Sequence, residues 1–140
     1  MNQIAKIKEL ERKIGYKFRN FNLLVMAVRH SSYTNEKHLE KYRCNERLEF
    51  LGDGILDAAV ADIVYKRYPN KREGFLTNTR SKIVQRETLN KLAVEIGLDK
   101  LIKYSTRSSS HNSYMYGNAF EAFIGAIYLD QGYERCKQFM

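Results

Sequence analysis

The chain has 140 residues, with 24 Lys or Arg against 16 Asp or Glu, and so carries a formal net charge of +8. This length fits one domain with one core, and 44% hydrophobic residues are too many for a disordered tail. One Pro, eight Gly and the lack of any long apolar run exclude collagen-like, low-complexity and membrane-spanning classes. The charge favours a polyanionic partner, namely RNA, DNA or an anionic membrane surface, although basic proteins without such a partner also exist.

The first residues and the cysteines both favour a cytoplasmic protein. The N-terminal segment has no apolar core of the kind that a signal peptide carries. Cys44 and Cys136 lie far apart, and the chain has no Cys-x-x-Cys motif, so two free thiols are expected. Once the motifs described below are taken into account, we expect neither a membrane nor a small-molecule substrate among its partners.

Helical periodicity runs through almost the entire chain, and the sequence shows no alternating strand pattern. A stripe of apolar residues predicts a first helix over residues 4–14. A second helix is predicted near residues 23–28, capped by Asn20 or Asn22. The polar stretch over residues 30–43 predicts a loop.

The longest predicted helix begins at its N-cap Asn45 and ends near Tyr68, where Pro69 stops it. At about 1.5 Å per residue this helix would span ~35 Å and cross the whole domain. After a turn, the pattern predicts two further helices over residues 76–85 and 87–96.

The last third of the chain contains one flexible-looking segment and two predicted helices. The Ser-rich stretch 105–113 predicts a flexible loop. A very apolar helix follows over residues 117–129, and a final helix begins near Tyr133, after a break at 130–132. The chain ends inside this final helix, so we expect the natural chain to continue. Together these elements predict one all-α domain, residues 1–140, built as a helical bundle with one long central helix.

Acidic side chains occur inside two otherwise apolar helical segments. In the first segment, Glu49 and Asp53 are four residues apart, so both carboxylates leave the same face of one helix. Their like charges repel and partial burial makes each ionised form costlier, so a cation, a basic side chain or a shifted pKa must compensate. Gly52 and Gly54 weaken a helix by about 1 kcal/mol each, which suits positions where another backbone or a ligand comes close.

The second segment contains Asn118 and Glu121, which share a helix face three residues apart. The two segments together offer three carboxylates and one amide, and these hard oxygen donors suit Mg²⁺ or Mn²⁺ better than zinc. The structural alternative is that the acids form ion pairs with basic residues such as Arg47 and Arg80. Two such segments in one basic helical chain favour a metal site.

Basic residues crowd around the turn that follows the long helix. They can cover phosphates over an extended surface, or they can form an ordinary solvated face. Interspersed Asn, Thr, Ser and Gln suit phosphate and sugar contacts, and the absence of an aromatic pair favours duplex recognition over single-strand binding. This basic cluster consists of Lys66, Arg67, Lys71, Arg72, Arg80, Lys82 and Arg86. Within it, RNA contacts are expected of Lys71, Arg72, Arg80 and Lys82.

Residues 45–53, NERLEFLGD, resemble the nine-residue signature of the ribonuclease III endonuclease domain, and the match is nearly complete. Further stretches resemble other parts of the same family, in family order and over nearly the whole chain. They are the opening IGYKF at 14–18, HSSYTNE at 30–36, EGFLT at 73–77 followed by Arg80-Ser81, and the last acidic helix EAFIGAIYLD at 121–130.

The resemblance implies the all-α ribonuclease III endonuclease-domain fold and a homodimer that cuts double-stranded RNA with Mg²⁺, for which Mn²⁺ can substitute. The products would carry 5′-phosphate and 3′-hydroxyl ends with short 3′ overhangs, and the expected substrates are rRNA, mRNA and tRNA precursors. Bacterial enzymes of this family usually carry a double-stranded-RNA-binding domain after the nuclease domain. This chain ends too early to contain one, so we expect a low affinity for RNA.

The resemblance also assigns roles to residues by position. The metal ligands would be Glu49, Asp53, Asn118 and Glu121, and of these we expect Asp53 and Glu121 to be the catalytic pair that positions metal and water. Glu46 and Glu73 fall on further acidic positions near the cleft. Phe50 falls on a signature aromatic that packs into the partner subunit in such enzymes.

Asn118 is a departure from the family pattern, which has Asp-x-x-Glu where this chain has Asn118-x-x-Glu121. An amide oxygen can still bind Mg²⁺, but it brings no charge, so the ligand set carries three formal charges where the usual set has four. The competing hypothesis is a catalytically weak or silent module of the same fold, which binds double-stranded RNA or acts as a scaffold. A basic protein–protein module would explain the charge but not the buried acids.

Overall fold

The structure, a computed structural model, describes residues 3–38, 40, 44–104 and 114–139. The described residues form eight α-helices and a short 3-10 helix at Leu98–Lys100. The predicted flexible loop at 105–113 lies outside the described residues, as do residues 41–43 of the loop predicted earlier in the chain. The helices are α1 Gln3–Ile14, α2 Phe21–Ala27, α3 Ser31–Glu36, α4 Glu46–Arg67, α5 Glu73–Val84, α6 Arg86–Glu95, α7 Met115–Gln131 and α8 Tyr133–Phe139.

The long helix α4 confirms the prediction in its bounds, because Asn45 stands at the N-cap position and Tyr68 follows the last helical residue. The side chain of Asn45 has a different role from the predicted cap. Its amide nitrogen donates to the carbonyl oxygen of Ala27 at 3.0 Å, and Asn45 is buried. This residue therefore fastens the start of α4 to the end of α2.

The loop predicted over residues 30–43 is wrong in its first half, where α3 forms. The ring Nδ1 of His30 accepts a hydrogen bond from the backbone N–H of Ser32 at 3.1 Å, and so caps the helix. The hydroxyl of Thr34 donates to the carbonyl of Ser31 at 2.8 Å. This stretch has the composition of a loop because its polar side chains form hydrogen bonds with backbone groups of the short helix.

The next two helices lie close to their predicted positions, but α5 begins earlier. It starts at Glu73 rather than at residue 76, because Arg72 takes an extended conformation at the N-cap position and Glu73 suits a first helical turn. None of the residues of α5 is buried. The helix α6 ends at Glu95, and Gly97 follows with a φ of 84°, a conformation that favours glycine.

The apolar helix α7 is the most buried element. Ten of its residues are buried, and it packs against α2, α4, α6 and α8. It extends beyond the predicted 117–129 at both ends and stops at Gly132, inside the predicted break. In the described part of the chain there is no sheet, only one isolated bridge between Arg29 and Lys103, so the all-α prediction is confirmed.

Two further expectations are confirmed in the same part of the chain. Cys44 and Cys136 are both buried free thiols. Of the described helices, none combines the length and the apolar character needed to cross a membrane.

Asp130, at the end of α7, ties the first part of the chain to the core. Its carboxylate accepts hydrogen bonds from the hydroxyl of Tyr16 at 2.8 Å and from the backbone N–H groups of Arg19 and Asn20 at 2.9 and 2.7 Å. Burial alone would raise the pKa of Asp130, but the hydrogen bonds from the backbone of Arg19 and Asn20 and from the side chains of Tyr16 and Gln131 together outweigh it and hold the pKa below its usual range. Asp130 therefore has a structural role.

Candidate active site

The acidic and amide side chains singled out in the sequence meet in one open cleft of about 480 Å³. One wall, called the acidic wall below, comes from the first half of α4 and from the N-terminal half of α7. Its polar lining residues are Glu46, Glu49, Asp53, Asn118 and Glu121. The structure therefore brings together the four predicted metal ligands and one of the two accessory acids.

Two glycines allow this meeting, because α4 and α7 touch backbone to backbone. A Cβ atom on Gly52 would overlap the carbonyl group of Glu121, and one on Gly125 would lie 2.5 Å from the carbonyl oxygen of Leu48. The close approach of another backbone that was predicted at Gly52 is therefore confirmed: the backbone of α7 lies against it. At Gly54 a Cβ would meet no described atom within 4 Å, so no neighbouring backbone comes close there, and the ligand alternative stays a prediction.

The carboxylates disfavour each other's ionisation. Burial, followed by a hydrogen bond and the charge of Asp53, raises the pKa of Glu121 from 4.5 to about 8. Burial and the charges of Glu46 and Asp53 also raise the pKa of Glu49, while the charge of Arg86 opposes this shift. The cleft therefore holds more negative charge than it stabilises by itself, and a cation bound there would relieve that excess.

The ion pairs offered as the structural alternative do not form among the residues that the structure describes. Asp62 on α4 is paired with Lys66 and Lys137, at 2.9 and 2.7 Å, whereas neither Arg47 nor Arg80 pairs with an acid of the cleft. Within the described part of the chain, the charge of Arg86 offsets the shift of Glu49 only in part, so the acids of the cleft lack the full compensation that a purely structural role would provide.

The donor set fits Mg²⁺ in chemistry, since it offers only carboxylate and amide oxygens. In the described part of the chain, no group of three or more His, Cys, Asp or Glu side chains is arranged so that it could hold a metal ion by itself. Mg²⁺ usually keeps several waters and binds through one or two carboxylates plus substrate phosphates, so an open carboxylate cleft suits it better than an all-protein cage would.

The facing wall was not predicted from the sequence. It comes from the junction of α5 and α6 and from the start of α7, and its residues are Val84, Arg86, Leu89, Asn90, Tyr114 and Gly117. The guanidinium carbon of Arg86 lies 3.8 Å from the centroid of the Tyr114 ring. The side-chain oxygen of Asn90 accepts a hydrogen bond from the backbone N–H of Gly117 at 2.6 Å, which braces α6 against α7.

The remaining predicted residues lie outside the acidic wall. Phe50 lies at the edge of the cleft, and 83% of its surface is exposed. Glu73 lies in the first turn of α5, is exposed, and does not line the cleft. The expected RNA contacts also lie away from the cleft lining, on and just before α5, with all but the half-buried Arg80 exposed: Lys71, Arg72, Arg80 and Lys82.

Solved structures that resemble this fold include nuclease domains of ribonuclease III. The nuclease domain of ribonuclease III from Campylobacter jejuni, whose dimer-forming region shows structural flexibility, is 33% identical to this chain with a TM-score of 0.85, and the match covers 95% of this chain and 92% of that one. Dicer from Pichia stipitis matches with a TM-score of 0.56 and 36% identity, over 67% of this chain and 45% of its own.

Sequence comparison gives the same family. The profile of the family described as Ribonuclease-III-like matches residues 20–140. Ribonuclease 3 of Bacteroides thetaiotaomicron is 69% identical over 99% of this chain and 48% of its own length. Ribonuclease 3 of Borreliella burgdorferi is 42% identical over 99% of this chain and 57% of its own length. The chain belongs to the ribonuclease-III-like family, and it spans about half the length of the curated relatives it matches.

Proposed function

We propose that this domain hydrolyses the phosphodiester bonds of double-stranded RNA with Mg²⁺ bound in the α4–α7 cleft, and that Mn²⁺ can substitute. The carrying observation is the meeting of Glu49, Asp53 and Glu121 in one open cleft, where burial and mutual repulsion leave a demand for a cation. A cation bound there would lower the pKa of a bound water and polarise a phosphate.

The residues of the cleft have different roles in this proposed reaction. Asp53 and Glu121 would hold the metal and orient the attacking water, while Glu49 and the side-chain oxygen of Asn118 would complete the oxygen ligands. Water forms a bond to phosphorus as the bond between phosphorus and the 3′ oxygen breaks. The 3′ oxygen takes up a proton, so the products are a 5′-phosphate and a 3′-hydroxyl. No side-chain nucleophile takes part.

We also propose that two copies of the chain form a homodimer, supported by the exposed ring of Phe50 beside the cleft. In a dimer with two-fold symmetry the two clefts lie on either side of the axis, and each can cut one strand of the duplex. Two such cuts leave short 3′ overhangs. The family resemblance also implies a compartment and natural substrates. We therefore further propose that the protein acts in the cytoplasm on rRNA, mRNA and tRNA precursors.

The test is incubation of the chain with a long RNA duplex at low salt, with Mg²⁺ or Mn²⁺ and with or without a chelator. We expect cleavage only when a divalent metal is present, with 5′-phosphate ends on the products. Glu121→Gln serves as the inactive control.

A second candidate is a silent module that binds duplex RNA without cutting it. The observation in its favour is that Asn118 lines the cleft in place of a charged ligand. Binding without cleavage in either metal would establish this second function and contradict the first.

A further inference from the structure

The cleft has two walls of opposite character. One wall carries Glu46, Glu49, Asp53 and Glu121, and the other carries Arg86, the first residue of α6. Of the described residues that line the cleft, Arg86 alone is basic. The other members of the basic cluster lie outside this lining, so Arg86 differs from them in position although the sequence groups them together.

The guanidinium group of Arg86 is held but not neutralised. Its carbon lies over the ring of Tyr114, 3.8 Å from the ring centroid, and this contact restricts the position of the group. Its charge acts on Glu49, yet among the described residues Arg86 forms no ion pair and donates no side-chain hydrogen bond. Its N–H donors therefore remain available to a ligand in the cleft.

The stack has no evident structural purpose. The junction of α6 and α7 is already closed by buried Leu89 and by the hydrogen bond from Gly117 to Asn90. Both Arg86 and Tyr114 are exposed, and an exposed cation–π contact adds little stability. A charged group fixed in an open cleft, and not needed for packing, is more consistent with ligand binding.

A phosphodiester is the ligand that this geometry suits. The planar fork of a guanidinium matches the two non-bridging oxygens of a phosphate. The acidic wall repels an RNA backbone, so a fixed cation on the other wall gives that backbone a favourable place to bind. Asn118 acts in the same direction, because it lowers the negative charge that the phosphate meets.

We propose that Arg86, stacked on Tyr114, binds a phosphate of the RNA strand and holds that strand across the cleft from Asp53 and Glu121. This role rests on the proposed function, since it concerns the substrate of the same site. Arg86 would then bind phosphate inside the cleft, whereas the residues expected to contact the RNA duplex lie outside it, on and just before α5.

The test compares Arg86→Ala and Arg86→Lys with Arg12→Ala, a control that removes the same charge from an exposed position on α1. Steady-state cleavage of a defined RNA duplex in Mg²⁺ gives kcat and KM. We expect Arg86→Ala to lower kcat/KM by roughly 10- to 100-fold, as for loss of a charged hydrogen bond, with an unchanged melting temperature. Arg86→Lys should recover part of the loss, because it keeps the charge without the fork.

Chemical rescue separates phosphate binding from a structural effect. Added guanidinium ion at low millimolar concentration should restore part of the activity of Arg86→Ala and leave Arg12→Ala unchanged. Equal kinetics for Arg86→Ala and Arg12→Ala would overturn the proposal. So would faster cleavage by Arg86→Ala at a lower Mg²⁺ concentration, because Arg86 would then be a substitute for the metal and not a ligand of the RNA.

If the proposed nuclease function is wrong, the same experiments give a result that differs from failure of the Arg86 proposal. A parent chain that binds the duplex without cutting it refutes the nuclease proposal alone, and Arg86 is then judged by binding. In that case Arg86→Ala should reduce the slope of log K against log salt by about one, and Arg12→Ala should not. An unchanged slope for Arg86→Ala, or a parent chain that neither binds nor cuts, overturns the Arg86 proposal.

Discussion

The carboxyl group of Glu121 is protonated in the metal-free domain at neutral pH, since its pKa is about 8. Its folded-state pKa lies above the ordinary 4.5, so the proton stabilises the folded state fully only below pH 4.5. That stabilisation is lost as pH rises through about 8. The stability of the metal-free protein should therefore fall between these two pH values.

Glu121→Gln should abolish cleavage and leave the fold intact. Gln is neutral at every pH, so the substitution removes the cost of ionising a half-buried carboxyl group. In the presence of a chelator, we expect the variant to melt at a higher temperature than the parent at pH 8, and at nearly the same temperature at pH 5. A large fall in melting temperature at pH 8 would instead identify Glu121 as half of an ion pair.

Asn118→Asp should lower the Mg²⁺ concentration needed for half-maximal cleavage, because Mg²⁺ binds through charge and the two side chains are nearly isosteric. The added carboxylate also repels Glu121 and Asp53, so the metal-free variant should melt at a lower temperature, and Mg²⁺ should restore it through binding. Titrations of cleavage and of melting temperature measure both effects. Asn22→Asp, on α2, is the control, because it adds the same charge away from the cleft. If Asn118→Asp changes the cleavage and melting curves no more than Asn22→Asp does, residue 118 does not face the metal.

At the scale of single residues, the sequence predicts one wall of the cleft and misses the other. Glu49 and Asp53 share a helix face by their spacing, and this spacing is visible before any fold is known. No spacing relates Arg86 to Tyr114, because they meet only when α6 folds back against the start of α7. Arg86 therefore looks like one more member of a basic surface until the tertiary structure is known.

Among the helices, the crossing of α4 and α7 determines the geometry of the site. The carbonyl group of Glu121 lies against Gly52, so the two helices approach more closely than any side chain at that position would allow. The same contact fixes how far the carboxylates of α4 lie from Glu121. Helix packing and site geometry thus depend on the same glycine.

Gly52→Ala should destabilise the domain by about 3 kcal/mol or more, because its methyl group would overlap backbone that cannot rotate away. Gly54→Ala is the matched control two residues along the same helix, where the space is open, and it should stabilise the domain by up to about 1 kcal/mol. Urea unfolding measures both free energies. Equal stability of the two variants would contradict the close crossing.

Helix positions were predictable where apolar periodicity extends over several turns, as in α4 and α7. The short helix α3 was missed because its sequence, Ser31–Glu36, is polar, and its hydrogen bonds come from side chains of its own residues and of His30. A helix that buries little apolar surface leaves no hydrophobic period to detect. Its formation is decided by local caps and by neighbouring elements.

For the whole molecule, Phe50→Ala should weaken self-association. A large apolar ring that is 83% exposed beside the cleft is left uncovered by the described residues of a single chain and gains most from burial against a second copy. Sedimentation velocity over a range of micromolar concentrations measures the dissociation constant. Leu129→Ala, which removes another exposed apolar side chain from the far end of α7, is the control and should leave the constant unchanged.

The helices that meet at Gly52 and Gly125 are distant in the sequence, and this order has a consequence for synthesis. A chain emerging from the ribosome presents Glu49 and Asp53 long before Glu121 exists, and the N-terminal residues must wait longer still for Asp130. Until then, half of the cleft is absent and the face of α4 that packs against α7 is uncovered. A chain that is still being synthesised therefore lacks a complete acidic wall until Glu121 has been added and α7 has packed against α4.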